Sequence, residues 1–206
     1  MNEEEIKGDW GGVCSINVLT GIEAVRKRPG MYVGCEGRAN AVVREVVKFG
    51  KNFGDVEVQV YDNPHEGVWV VVSFEMKKEV LEGIPVGDFP GSEVFRKIGY
   101  LMTEFPMNKV PGEIPLHYDN SVPLIATALS TVMEIHVPNG EDTEVGRWVN
   151  GKFRNSDDVE YREVQNRYAG YSKMYGNDGK VRIRFSPDVE LLGSAVDLEG
   201  LKVVEE

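Results

Sequence analysis

Few side chains in this sequence stand where their type and spacing could do chemistry. Glu45 lies within Ala39 to Phe49, where Ala41, Val42, Val43, Val46, Val47 and Phe49 form the broad apolar stripe of an amphipathic helix. A carboxylate held there could serve as a general base toward water, although a Glu on a helix is more often simply solvated. The histidines His65, His117 and His136 share no ligand spacing, and Cys14 and Cys35 lack the paired spacing of a zinc site. No metal site is expected. Tyr161, Tyr168, Tyr171 and Tyr175 gather in a polar stretch from Asn155 to Asp178. Tyr and Arg are enriched at interaction hot spots, but a long loop folded against a sheet would have the same composition.

The elements that must position these groups are legible in pattern. Thr20 can cap a helix over Gly21 to Arg28, with Glu23 completing a capping box, and Pro29-Gly30 is expected to stop it. Gly30 is expected to take a turn that a β-carbon would strain. Val56 to Tyr61 alternates as a half-buried strand, and Val68 to Phe74 reads as a central one. Ser92 can cap a helix to Thr103, and Asn120 or Ser121 another that runs to about Val132. Met133 to Val137, Glu144 to Val149 and Lys152 to Arg154 are predicted strands, joined by hairpins at Asn139-Gly140 and Asn150-Gly151. Trp148 is predicted in the core, and Lys180 to Phe185 is a last alternating strand. Helices come mainly first and hairpins later, so the fold class is α+β, helices layered on a sheet.

Composition narrows the function. The 206 residues are 41% hydrophobic and 28% charged, a globular balance with no repeat or linker. With 34 acidic against 23 basic residues the net charge is -11. Direct nucleic-acid binding is therefore not expected, because it needs clustered Lys and Arg. An acidic surface suits solubility, a basic protein partner, or imitation of nucleic acid. The start, Met1-Asn2-Glu3-Glu4-Glu5, is acidic where a secretory signal is basic. The apolar run Val68 to Val72 is far shorter than the roughly 20 residues that span a bilayer. A cytoplasmic protein with reduced thiols, not engaging membranes, is expected.

Residues Ile16 to Gly34 read INVLTGIEAVRKRPGMYVG. This segment resembles the opening of the gyrase B and topoisomerase IV ATPase domain, which begins with a similar helix followed by RKRPGMY and a glycine. Weaker similarity continues through Val42 to Val47, Gly83-Ile84-Pro85-Val86, Leu101-Met102-Thr103, Leu116-His117, Ala126 to Ser130 and Val181 to Pro187. The resemblance implies the Bergerat-type two-layer α/β sandwich of the GHKL superfamily, helices on a mixed, largely antiparallel sheet. It divides the chain into a flexible leader, 1–15, the domain, 16–190, and a C-terminal tail, 191–206. Arg26, Arg28, Pro29 and Gly30 would then serve architecture.

The resemblance also implies where nucleotide chemistry would sit. ATP hydrolysis in the family needs a carboxylate base and, four residues on, an Asn that helps hold Mg²⁺ from the same helix face. Glu45 matches the base, but Phe49 matches the Asn, and an aromatic ring cannot coordinate a hard cation. The adenine-binding Asp aligns with Glu79, followed by Val80, Leu81, Glu82 and Gly83 in place of an Asn- and Gly-rich turn. The glycine-rich lid aligns with Glu113 to Asn120, where Pro115 lacks a donor and Asp119 would oppose phosphate. Lys109 aligns with a phosphate-contacting lysine. Glu45, Phe49, Glu79, Gly83, Lys109 and His117 are thus vestigial nucleotide-site positions. No catalytic residue, no cofactor and no ATP hydrolysis are expected.

The chain also ends before the family's transducer and DNA-cleaving domains, so a stand-alone protein that is not itself a topoisomerase is expected. These readings converge on a degenerate, non-catalytic version of the domain that works by binding a macromolecule. Topoisomerase subunits and basic toxins, neutralised by an immunity protein, are the candidates. The alternative is a residual nucleotide or small-molecule binder, and behind it a weak ATPase. In gyrase-type domains an N-terminal arm exchanges across an ATP-driven dimer. Here the leader holds Trp10 among Gly8, Gly11 and Gly12, and a monomer is expected.

Overall fold

The computed structural model describes residues 21–34, 38–63, 67–82, 84–103, 122–154 and 178–197. The leader with Trp10, Thr20, Gly83, Lys109, the lid segment 113–120 with His117, and the tyrosine-bearing stretch 155–177 lie outside the described residues.

Six strands form one open sheet: β1 (Val56–Asn63), β2 (Gly67–Glu75), β3 (Ser130–Asn139), β4 (Asp142–Val149), β5 (Lys152–Arg154) and β6 (Lys180–Pro187). Their order is β1-β2-β6-β3-β4-β5, and each of these pairings is antiparallel. The last of the described strands in sequence therefore enters the middle of the sheet. Strand alternation sends Val181, Ile183 and Phe185 to one face and Arg182 and Arg184 to the other, and both sets are buried.

Among the described residues the helices are α1 (Gly21–Lys27), α2 (Gly30–Val33), α3 (Arg38–Lys51), α4 (Glu93–Thr103), α5 (Val122–Ala128) and α6 (Val189–Leu192). Val25 of α1, Val42, Val46 and Phe49 of α3, Phe95, Ile98 and Met102 of α4, and Ile125 of α5 converge on the inward residues of the sheet. Trp148 of β4 is fully buried among them. One continuous apolar layer results, and the architecture is the expected α+β sandwich.

Several local readings change. The helix expected to reach Val132 ends at Ala128, because Ser130 and Val132 pair with β6 and the β-branched Thr131 and Val132 fit the strand β3 that opens there. α1 ends at Lys27, just ahead of Pro29-Gly30 and one residue earlier than expected, and the Pro29 carbonyl then accepts from Tyr32 and Val33 to start α2. Gly30 takes no positive φ, and a β-carbon there would meet only the Arg38 side chain, at 3.5 Å. The strained turn expected at this glycine is absent. The β3–β4 loop is Gly140-Glu141, one residue later than expected, with φ 66 at Gly140. Asn150-Gly151 forms the β4–β5 turn as expected, with φ of 50 and 77, the two positive values of a type I′ turn.

Ser92 caps α4 through the Phe95 amide at 3.3 Å, and the Glu144 carboxylate accepts from both the amide and the hydroxyl of Ser92. Arg26, in the last turn of α1, ties elements together. Its guanidinium donates to the Ala128 carbonyl at 2.7 Å and to Asp188 at 2.9 Å, joining α1 to the ends of α5 and β6. Asp188 in turn caps α6 at Leu191, and α6 straddles residue 190. Further on, Asp197 exchanges two hydrogen bonds with Asn40 of α3.

Candidate functional site

α3 brings the first two nucleotide-site positions to the helical layer. Its stripe of Val42, Val43, Val46, Val47 and Phe49 packs inward, and Lys48 and Lys51 face water. Glu45 lies between these zones, half-buried, and its carboxylate accepts from Lys48 Nζ at 2.6 Å. This is a local i,i+3 pair of the kind that supports a helix.

Phe49, one turn later, points into the core and is 5% exposed. Its ring meets Phe53 edge-on at 5.2 Å and Phe74 at 6.0 Å, while Phe53 and Phe74 stack at 5.0 Å. Aromatic pairs in such arrangements contribute about 0.5–1.5 kcal/mol beyond burial. The cluster pins α3 to β2. It contains no oxygen that a hard cation could use, so Phe49 cannot supply the metal ligand that the resemblance calls for at this position.

The next positions diverge. Lys78–Leu81 is a short 3-10 turn. Glu79 on it is exposed and its carboxylate makes no hydrogen bond or ion pair among the described residues, whereas Leu81 is 2% exposed and joins the core beside Ile84. The carboxylate expected at the adenine site therefore faces solvent, and the apolar replacement after it turns inward. Glu45 and Glu79 share no described contact. Among the described residues no group of His, Cys, Asp and Glu could hold a metal, and no helix is long and apolar enough to cross a membrane.

Sequence pattern missed a second polar assembly, on the opposite face of the sheet. Cross-strand register places Glu134 of β3 between Arg147 of β4 and Arg184 of β6. Arg147 Nη1 donates to one carboxylate oxygen at 2.8 Å and Arg184 Nη1 to the other at 3.2 Å; His136 Nε2 stands 3.5 Å away. Arg184 also donates through Nε to the Tyr61 hydroxyl at 2.7 Å, and its guanidinium carbon lies 3.9 Å from the centre of the Trp69 ring. Burial pushes the Glu134 carboxyl up, but His136, Arg184 and Arg147 more than reverse this and hold it at about 2. The signal was present in the alternation of Glu134 and His136 with Met133, Ile135 and Val137. Read alone, that alternation suggests a wet face. It is a buried one.

No protein-family model and no curated protein matches the chain. Among solved structures, the 43K ATPase domain of Thermus thermophilus gyrase B, in complex with an aminocoumarin, superposes with a TM-score of 0.53 and 19% identity. The match covers 89% of this chain and 43% of that one. At this identity the likeness establishes the fold: the α+β sandwich described above is that of a gyrase B ATPase domain. The chain spans less than half the length of that relative.

Proposed function

We propose that this chain is a non-catalytic, pseudo-ATPase relative of the gyrase B domain that acts by occupying a macromolecular partner. A topoisomerase subunit, or a basic toxin that it neutralises as an immunity protein would, is the partner class that fits. Phe49 carries the reading. At the position where the resemblance calls for a metal-binding Asn, its ring is sealed into the Phe53–Phe74 cluster. Glu45, the matching base, is tied to Lys48 instead. The net charge of -11 favours a partner with a basic surface.

Calorimetric titration with ATP analogues, with and without Mg²⁺, tests the catalytic half. The expected result is no turnover above background and Mg²⁺-ATP binding no tighter than about 1 mM, equivalent to about -4 kcal/mol. Turnover that disappears in Glu45→Ala would overturn the reading, and tight metal-free nucleotide binding would replace it with a residual binder. For the partner half, the purified chain should form a complex with a type II topoisomerase subunit or with a basic toxin in light scattering. Alone it should scatter as a monomer. A dimer that dissociates when the chain is trimmed to begin at Ser15 would revive a nucleotide-linked arm exchange.

A further inference from the structure

Away from α3 and the 3-10 turn, a cleft of about 800 Å³ opens between α1, the β4–β5 turn and α6. Small-molecule sites fall at roughly 300–1,000 Å³. Ile22 and Leu191 give it apolar walls, and Lys27 and Lys152 line it from two different elements. Neither lysine has a carboxylate partner among the described residues, and Glu23 is the one acid among the described lining residues. Arg26 also lines the cleft, with its charge balanced by Asp188. In a chain of net charge -11, this cleft inverts the local sign.

The walls are fixed rather than incidental. Arg26 is anchored at both ends of its guanidinium. The β4–β5 turn is tied back by the Asn150 amide to the Thr131 carbonyl at 2.9 Å. A β-carbon on Gly151 would stand 2.3 Å from Ile22 Cγ2, so only glycine lets this turn close onto α1. An open cleft with apolar sides and two ammonium groups against one lining carboxylate has the chemistry to hold an anion on an apolar body.

We propose that this cleft binds a small organic anion, a carboxylate or phosphate monoester, with its headgroup on Lys27 and Lys152 and its body on Ile22 and Leu191. The site is independent of the partner-binding reading, and the two functions can coexist. Phenyl phosphate, benzoate and inorganic phosphate are the probes, each titrated into the isotopically labelled full chain while amide shifts are followed. Phenyl phosphate or benzoate should give saturable shifts at Ile22, Lys27, Gly151 and Lys152, and whichever binds tighter identifies the headgroup. Inorganic phosphate should bind about tenfold more weakly, because it buries no apolar surface. Lys27→Glu with Lys152→Glu should weaken binding at least tenfold with an unchanged melting curve. Should that pair fail to fold, Lys27→Gln with Lys152→Gln removes the charges without reversing them and must give the same loss. Shifts that do not saturate by about 10 mM, shifts centred on α3, equal binding of bare phosphate, or full affinity in the glutamine pair would overturn the site.

Discussion

The two faces of one sheet are buried by opposite means. Against the helices, Phe74 meets the aromatic plug of Phe49 and Phe53, and Ile183 and Phe185 pack in the same apolar core. On the reverse, the same strands present Glu134, Arg147 and Arg184, where a carboxylate is wedged between two guanidinium groups. The buried residues of the first face carry no titratable group. The second depends on Glu134 staying ionised. Residues a single step apart on β6 belong to these two regimes, so burial by itself does not say what a substitution will cost.

Replacing Phe49 by Asn should break the apolar face most severely. Truncating a buried Phe leaves a cavity costing about 3–5 kcal/mol, and an amide with no partner adds about 1–3 kcal/mol. Urea unfolding should show that loss equally at pH 7 and pH 4. It should also show no gained ATPase activity, although the change restores the residue type that the family uses. A folded variant with Mg²⁺-dependent turnover would mean that the plug is all that silences the site.

Glu134→Gln should act on the other face, by about 3 kcal/mol at pH 7, because it removes the buried charge that both Arg147 and Arg184 hold. Its pH behaviour sharpens the contrast. The folded carboxyl is held at about 2, below its ordinary 4.5. Its stabilisation is therefore fully present above about pH 4.5 and lost as pH falls toward 2. That shift corresponds to on the order of 3 kcal/mol. The parent should lose this increment on acidification, and Glu134→Gln should lack it. Parallel acid limbs in the two proteins would show that Glu134 is not the group that titrates.

These contrasts also explain what the sequence could and could not disclose. Periodicity located β1, β2, α3 and α4 because apolar stripes and alternation are local properties. The ends were less legible: Ala128 to Ser130 switches from helix to strand within three residues, and the pairing of β3 with β6 decides that switch from far along the chain. The resemblance placed Glu45 and Phe49 correctly on one helix. It could not say that Phe49 would meet Phe53 and Phe74, since that contact needs the β1–β2 hairpin folded beneath it. The charged face was hidden for the same reason. Glu134, Arg147 and Arg184 are 13 to 50 residues apart, and only sheet register brings them together.

The smallest effect should come from a residue that touches neither face. Gly30 lies in the strongest part of the family resemblance, where a conformational need for glycine is the natural reading. In the structure it opens α2 without a positive φ. A β-carbon would sit 3.5 Å from Arg38 Nη2, an ordinary contact with a movable side chain whose Nε donates to the Gly34 carbonyl at 3.1 Å. Valine is better in a helix than glycine by a few tenths of a kcal/mol, roughly offsetting any displacement of Arg38. Gly30→Val should therefore change stability by less than about 0.5 kcal/mol. For a chain of this size that is a melting shift of about 1–2 °C. Thermal unfolding of the variant beside the parent decides it. A fall of more than about 5 °C would place a hidden tight contact at this position, and the motif would then constrain α2 as firmly as Phe49 constrains α3.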